Sequence, residues 1–173
     1  MSNPVIINKV VEANQIDHNN HMHDSEYNKV FSEAVNEFNY THGLSLKERE
    51  VLQYTMFTLE EHTTYLAELS LNSTYRIEVY IYDYDYKRVH FFLMLYTDED
   101  ELAATNEVIM MGIDSNKRKS APFPSDYHQN IANYYNQQGT NDWPKQLGHQ
   151  IGIPKRRTKN GITISQSTFR III

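Results

Sequence analysis

The chain has 173 residues, a formal net charge of -6 at pH 7, eight histidines and no cysteine. That length suits one core, the missing thiols exclude disulfides and cysteine nucleophiles, and the acidic balance argues against a surface built to grip nucleic acid. No apolar run reaches the roughly 18 residues of a membrane helix and the opening Met-Ser-Asn-Pro-Val lacks a signal peptide's basic and apolar regions, so a cytoplasmic protein is expected.

In chain order, Val5 to Val11 is β-branched and apolar and reads as a first strand. The run Asp17-His18-Asn19-Asn20-His21-Met22-His23-Asp24 is too polar to propagate a helix or fill a core, and reads as a loop. Tyr27, Val30, Phe31, Ala34, Val35 and Phe38 then fall on one helical face, with Asp24 in the position of an N-cap and Gly43 as a stop. The next stretch reads as strands. These are Met56 to Leu66, the alternating Tyr75, Ile77, Val79 and Ile81, the doubly apolar Val89 to Tyr96, and Ala103 to Ile113. Polar breaks at Asp83 to Tyr86 and Asp98 to Asp100 suit hairpins.

One helix with a wide apolar stripe is buried only if the sheet curls around it. The expected class is therefore α+β, a curved antiparallel sheet wrapped on one long helix. Residues 1–120 are assigned to that domain. Residues 121–173 are assigned to an extension, with a helix over Asp126 to Gln138 and then a tail or an added strand.

The histidine-rich loop carries the chemistry. Its His-x-x-His-x-His spacing matches no common metal signature, so no metal site is assigned. A carboxylate at Asp17, seven residues ahead of the helix start at Asp24, can lie beside the helix N-terminus. Unpaired N–H groups there can polarise a carbonyl and hold an oxyanion, with Asp17 as base or nucleophile. Glu60 and His62 lie two apart on a strand and share a face, as a second carboxylate with a histidine that can serve a leaving group, or as an exposed strand face. His21 either braces the loop or touches substrate. No Gly-x-Ser-x-Gly elbow or His-Glu-x-x-His helix is present.

The pattern Asp17-x-x-Asn20-His21-x-His23-x-x-x-Tyr27 resembles the Asp-x-x-Gly-His-x-Asn-Asn-x-x-Tyr signature of hot-dog-fold acyl-CoA thioesterases of the hydroxybenzoyl-CoA type. It departs at Asn20, a residue that tolerates left-handed backbone, and at His23. Phe57-Thr-Leu-Glu60-Glu-His62-Thr-Thr-Tyr65, Lys87-Arg88-Val-His90 and Leu147-Gly148-His-Gln-Ile151-Gly152-Ile-Pro154 are similar to the betainyl-CoA thioesterases of carnitine breakdown.

The resemblance implies a hot-dog fold and hydrolysis of a small acyl-CoA, betainyl-CoA among the candidates. It implies no cofactor, since coenzyme A is part of the substrate, and a homodimer or larger homo-oligomer. Asn20, His23, Tyr27, Phe57 and Tyr65 would contact the substrate, the last three lining the acyl pocket, and the Lys117-Arg118-Lys119 and Lys155-Arg156-Arg157 groups would meet the CoA phosphates or else be solvated faces. Tyr80, Tyr82, Tyr84 and Tyr86 alternate, as a dimer-facing stripe or as a cage for a quaternary ammonium. Two other readings stay open: a hydroxyacyl-thioester dehydratase on the same scaffold, and an acyl-CoA binding module without turnover.

Overall fold

The computed structural model describes residues 4–139 and 142–153, together with the backbone of two short strands beyond them. Strand β1 (Val5–Val10) leads through a short 3-10 turn into the loop and helix α1 (Asp24–Thr41), followed by helix α2 (Leu46–Leu52). Strands β2 (Tyr54–Tyr65), β3 (Thr74–Tyr84), β4 (Arg88–Thr97), β5 (Leu102–Asp114) and the two-residue β6 (Lys119–Ser120) come next, then helix α3 (Ser125–Gln137). The sheet is antiparallel, in the order β1-β3-β4-β5-β2, with β6 paired to the end of β5.

The stripe of α1 is buried as its spacing requires: Val30, Phe31, Ala34 and Phe38 are 0–1% exposed and join one cluster with Ile77, Val79, Ile81, Phe91, Leu93 and Leu95. Each fully buried side chain of this kind stabilises the fold by roughly 1.5–3 kcal/mol. His42 caps the helix end and Gly43, at φ 102°, takes the left-handed turn that follows. The hot-dog expectation is met: one long helix lies in a curled antiparallel sheet.

Strand β4 is covered on both sides, as its unbroken apolar sequence predicts. Phe91, Leu93 and Leu95 face α1, while Phe92 and Met94 form a second cluster with Tyr80, Trp143 and Leu147 on the convex face. The segment around Trp143 is thus a strap over the outside of the sheet.

Helix α3 packs Tyr127, Ile131 and Tyr134 into the main cluster. The Tyr134 hydroxyl accepts from the Val5 amide at 2.8 Å and donates to the Val79 carbonyl at 2.5 Å, tying β1 and β3 to the helix. Beyond it, Gln138 bonds both backbone groups of Ile81, at 2.9 and 2.5 Å, where the β3–β4 register shifts between Ile81 and Asp83.

Helix α2 departs from the strand-like reading of this region. Ser45 and Glu48 form a reciprocal capping box, and no residue of the helix is buried. A capped start without an apolar stripe carries no periodic signal, which is why the pattern reading passed over it.

The short strands β7 (Lys155–Arg156) and β8 (Ile164–Ser165) pair with each other, Lys155 opposite Ser165. The side chains of the Lys155-Arg156-Arg157 group and the rest of the expected tail, Ile162 to Ile173, lie outside the described residues.

Candidate active site

The loop is held by its own aspartate. The Asp17 amide donates to the His21 carbonyl at 2.8 Å, and Asp17 Oδ1 accepts from the amides of Asn19 at 2.8 Å and His21 at 3.2 Å. The turn needs left-handed backbone at Asn20, which has φ 66°. The neighbouring Met22 is 5% exposed, its amide bonded to Leu69 at 2.7 Å, so one apolar side chain anchors an otherwise polar loop. The His23 amide returns to the Gln15 carbonyl at 2.8 Å. That bond closes the base of the loop against the start of α1.

Burial works to raise the carboxyl pKa of Asp17, but the His21 and Asn19 amides, the charge of His18 and the Asn19 side chain together bring it below the ordinary 3.8. Asp17 is therefore an anion at any neutral pH. His21 lies 3.4 Å from Glu68, which braces the loop on the segment after β2.

The helix cap is His23 rather than Asp24, a correction to the expected N-cap. His23 Nδ1 and Asp24 Oδ1 both accept from the Ser25 amide, at 3.3 and 2.8 Å, and the Glu26 amide bonds the His23 carbonyl at 2.9 Å. Among the described residues no acceptor is bonded to the Asp24 amide. It is an open N–H at the positive end of the helix dipole.

Tyr27 is 4% exposed; burial pushes its phenol up to about 12, and its hydroxyl accepts from the Leu69 amide at 3.2 Å. Its ring meets Tyr65 edge-on, with centroids 5.4 Å apart, and the Tyr65 hydroxyl donates to the Asp24 carbonyl at 3.3 Å. These two aromatic residues meet beside the helix N-terminus. Phe57, placed with them by that reading, is 53% exposed near the other end of β2.

Strand β2 explains the separation. Thr58 pairs with Met110 and Glu60 with Ile109, so Leu59 is an extra residue, a β-bulge. Before it, Tyr54 and Met56 face the core; beyond it, Glu61, Thr63 and Tyr65 take the concave face, opposite Val108, Asn106 and Ala104. Glu60 and His62 do share a face, but it is the convex one. They line a cavity there with Glu107, Ile109 and His149. In that cavity Glu107 accepts from the Gly148 amide at 2.7 Å and lies 2.8 Å from His90 Nε2.

The residues that pattern reading missed are on the concave side. Asn106 Nδ2 donates to Glu61 at 2.6 Å and to Thr63 Oγ1 at 2.9 Å, and Thr63 donates to Asn28 of α1 at 2.5 Å. Paired carboxylates at 60 and 61 were the available signal, but which of them turns inward depends on the bulge.

Lys117 and Arg118 occupy the β5–β6 turn, where Lys117 pairs with Asp114 at 3.1 Å. Asp114 lies opposite Tyr54, and Ala104 opposite Tyr65. At about 3.3 Å per residue the basic turn is thus some 30 Å from the Asp24 end of β2 within one chain. The tyrosine stripe also divides. Tyr80 is buried with its hydroxyl on Glu78 at 2.9 Å, whereas Tyr82 packs against His90 and Trp143, and Tyr84 against His128 and Tyr135. Among the described residues no group of three or more His, Asp or Glu is disposed to hold a metal ion. No helix among them is long and apolar enough to cross a membrane.

Comparison with solved structures finds a Staphylococcus aureus protein determined in complex with CoA, 56% identical, with a TM-score of 0.86 over 89% of this chain and 99% of that one. A second structure, from Pseudomonas putida KT2440, is 26% identical with a TM-score of 0.78, again over 89% and 99% of the two chains. A curated relative, the betainyl-CoA thioesterase of Pseudomonas aeruginosa, is 26% identical over 143 residues, 82% of this chain and 90% of that protein. The family model of the Thioesterase-like superfamily matches residues 11–131, a span that takes in the Asp17 loop, α1 and the sheet from β2 to β5, and the chain belongs to that superfamily.

Proposed function

We propose that this chain is an acyl-CoA thioesterase acting on a small acyl group. The observation that carries the reading is the Staphylococcus aureus relative, 56% identical over nearly its whole length and solved with CoA bound. The similarity to a betainyl-CoA thioesterase supports hydrolysis, and supports betainyl-CoA as the first substrate to try.

In the mechanism, the thioester carbonyl accepts a hydrogen bond from the Asp24 amide at the N-terminus of α1, where the helix dipole favours the growing negative charge. Asp17 acts as nucleophile, or as the base that orients water. Held low, its carboxyl is a weak proton acceptor but fully ionised. Water attacks the carbonyl directly, or Asp17 attacks and the mixed anhydride it forms is then cleaved by water. Either way the carbon–sulfur bond breaks, a proton of water ends on the CoA sulfur, and its hydroxyl ends on the acyl group, which leaves as the free acid. Water is the only co-reactant, and no cofactor takes part. His21 and His23 hold the loop and the cap; Tyr27 and Tyr65 wall the acyl group.

The shape of the sheet supports a homodimer as part of this reading. Strand β2 ends the sheet with one long edge, and Leu59 on it is 51% exposed, an edge that calls for cover. Two β2 strands meeting antiparallel about a twofold axis would bring the partner's β5–β6 turn to the Asp24 end of this chain. Lys117 and Arg118 would then serve the CoA phosphates across the interface.

The test is free-thiol release from a panel of acyl-CoAs by the wild type and by Asp17→Asn. Release that falls by about 10²–10⁴-fold in the variant supports the reading. Tight CoA-thioester binding with no release by the wild type leaves a binding module instead.

A further inference from the structure

Strand β2 brings to the concave face a carboxylate that the mechanism above does not use. Glu61 lies beyond the Leu59 bulge, and one of its oxygens accepts the 2.6 Å bond from Asn106. Asn106 is 1% exposed and stands on β5 between inward-facing Ala104 and Val108, both in the apolar cluster. A buried amide in an apolar row is costly unless its N–H groups are used. Here both bonds go to β2, one to the carboxylate and one to Thr63, which passes the contact on to Asn28 of α1.

The orientation of Glu61 is therefore set from below, while its second oxygen, Oε2, accepts no hydrogen bond among the described residues. No Lys, Arg or His among them forms an ion pair with it. Tyr65 stands on the same face, 44% exposed, edge-on to Tyr27. Burial raises the Tyr65 phenol pKa, and the charges of Asp24 and Glu61 raise it further, so all three groups share one neighbourhood. A carboxylate with an open oxygen beside exposed aromatic surface, with no cation of the protein's own, fits a positively charged group of the ligand, and the aromatic surface suits a weakly hydrated one.

We propose that Glu61, turned inward by the bulge at Leu59 and held by Asn106, is the specificity-determining carboxylate that reads a positive charge on the acyl group. This rests on the thioesterase reading and adds to it the residue and the property of the substrate that it recognises. Glu61 touches the acyl group rather than the reacting carbonyl, so its charge acts on selection among thioesters.

The experiment compares kcat/KM for betainyl-CoA and for 3,3-dimethylbutanoyl-CoA, which replaces the quaternary nitrogen by carbon at the same shape and size. The wild type should prefer the charged thioester. In Glu61→Gln, which keeps an acceptor for Asn106, the ratio of the two values should fall about tenfold, with the loss on the charged substrate. Equal losses on both thioesters would place Glu61 at the reacting atoms and overturn the proposal, as would an unchanged ratio. Equal wild-type rates on both substrates would overturn it while leaving the thioesterase reading in place. Release from neither substrate, nor from any other acyl-CoA, would sink that reading and this one with it.

Discussion

Beyond Leu59, alternate residues of β2 enter two different settings. On the convex side, Glu60 and His62 look out beside Glu107, His90 and His149, beneath a strap fastened by Trp143 and the Gly148 amide. On the concave side, Glu61, Thr63 and Tyr65 look in toward the first turns of α1, linked to it through Asn28 and the Asp24 carbonyl. Both sides hold carboxylates and hydrogen-bonding side chains, so residue type does not separate them. What separates them is the neighbour: a helix N-terminus with a free amide on one side, a well-bonded surface strap on the other. One inserted residue decides which side each group joins.

The largest effect should come from Asp24→Pro, which removes the N–H at the concave side's helix end and leaves a proline at the first helical position, where it is tolerated. Losing one donor to a developing oxyanion costs about 10²–10³-fold in kcat. A variant that folds and keeps wild-type turnover would show that the helix N-terminus, and with it the concave side, is irrelevant to the chemistry.

A paired measurement sharpens the contrast between faces. Asn106→Ala removes two side-chain hydrogen bonds at a site 1% exposed and should cost about 1–3 kcal/mol in urea unfolding, with turnover impaired as well. Trp143→Ala empties the convex cluster against Tyr80, Tyr82 and Phe92, and should cost a similar or smaller amount. Turnover by the folded fraction should survive the Trp143 change. If it falls as far as in Asn106→Ala, the two faces are not functionally distinct.

The smallest effect is in the acid limb of the pH profile. Asp17 is lowered from 3.8, so it remains ionised as the pH falls through the ordinary carboxylate range, and kcat/KM should lose its base only below that value. The same sign holds for stability: the contribution of Asp17 is complete above its unfolded pKa and lost as the pH falls through the lower folded one. An acid limb centred near pH 6 that Asp17→Asn abolishes would contradict the observed hydrogen bonding of the loop.

Much of this was legible in the chain because burial leaves a period. The stripe from Tyr27 to Phe38, the alternation from Tyr75 to Ile81 and the doubly apolar β4 each state what covers them. The Asp17 loop was legible for a different reason, since its residue types favour a tight turn and Asn20 accepts the required left-handed backbone. Helix α2 left no such mark, for its stability comes from a cap and not from a buried face.

The bulge was also invisible. Thr58, Leu59 and Glu60 contain nothing that names an insertion, because it is defined by Met110 and Ile109 across the ladder on β5. Reading two-residue periodicity through it put Glu60 and His62 on one face correctly, but left open whether that face meets the substrate or the solvent. The same long-range origin hides Asn106, an asparagine in a β-sequence until the residues opposite it are known.

The most direct test is a crystal structure of Asp17→Asn with an uncleaved acyl-CoA. The thioester carbonyl should lie within hydrogen-bonding distance of the Asp24 amide, with the acyl group against Tyr27, Tyr65 and Glu61 on the concave face. An acyl group seated instead on the convex side, among Glu60, His62 and His149, would contradict the division of labour drawn from β2.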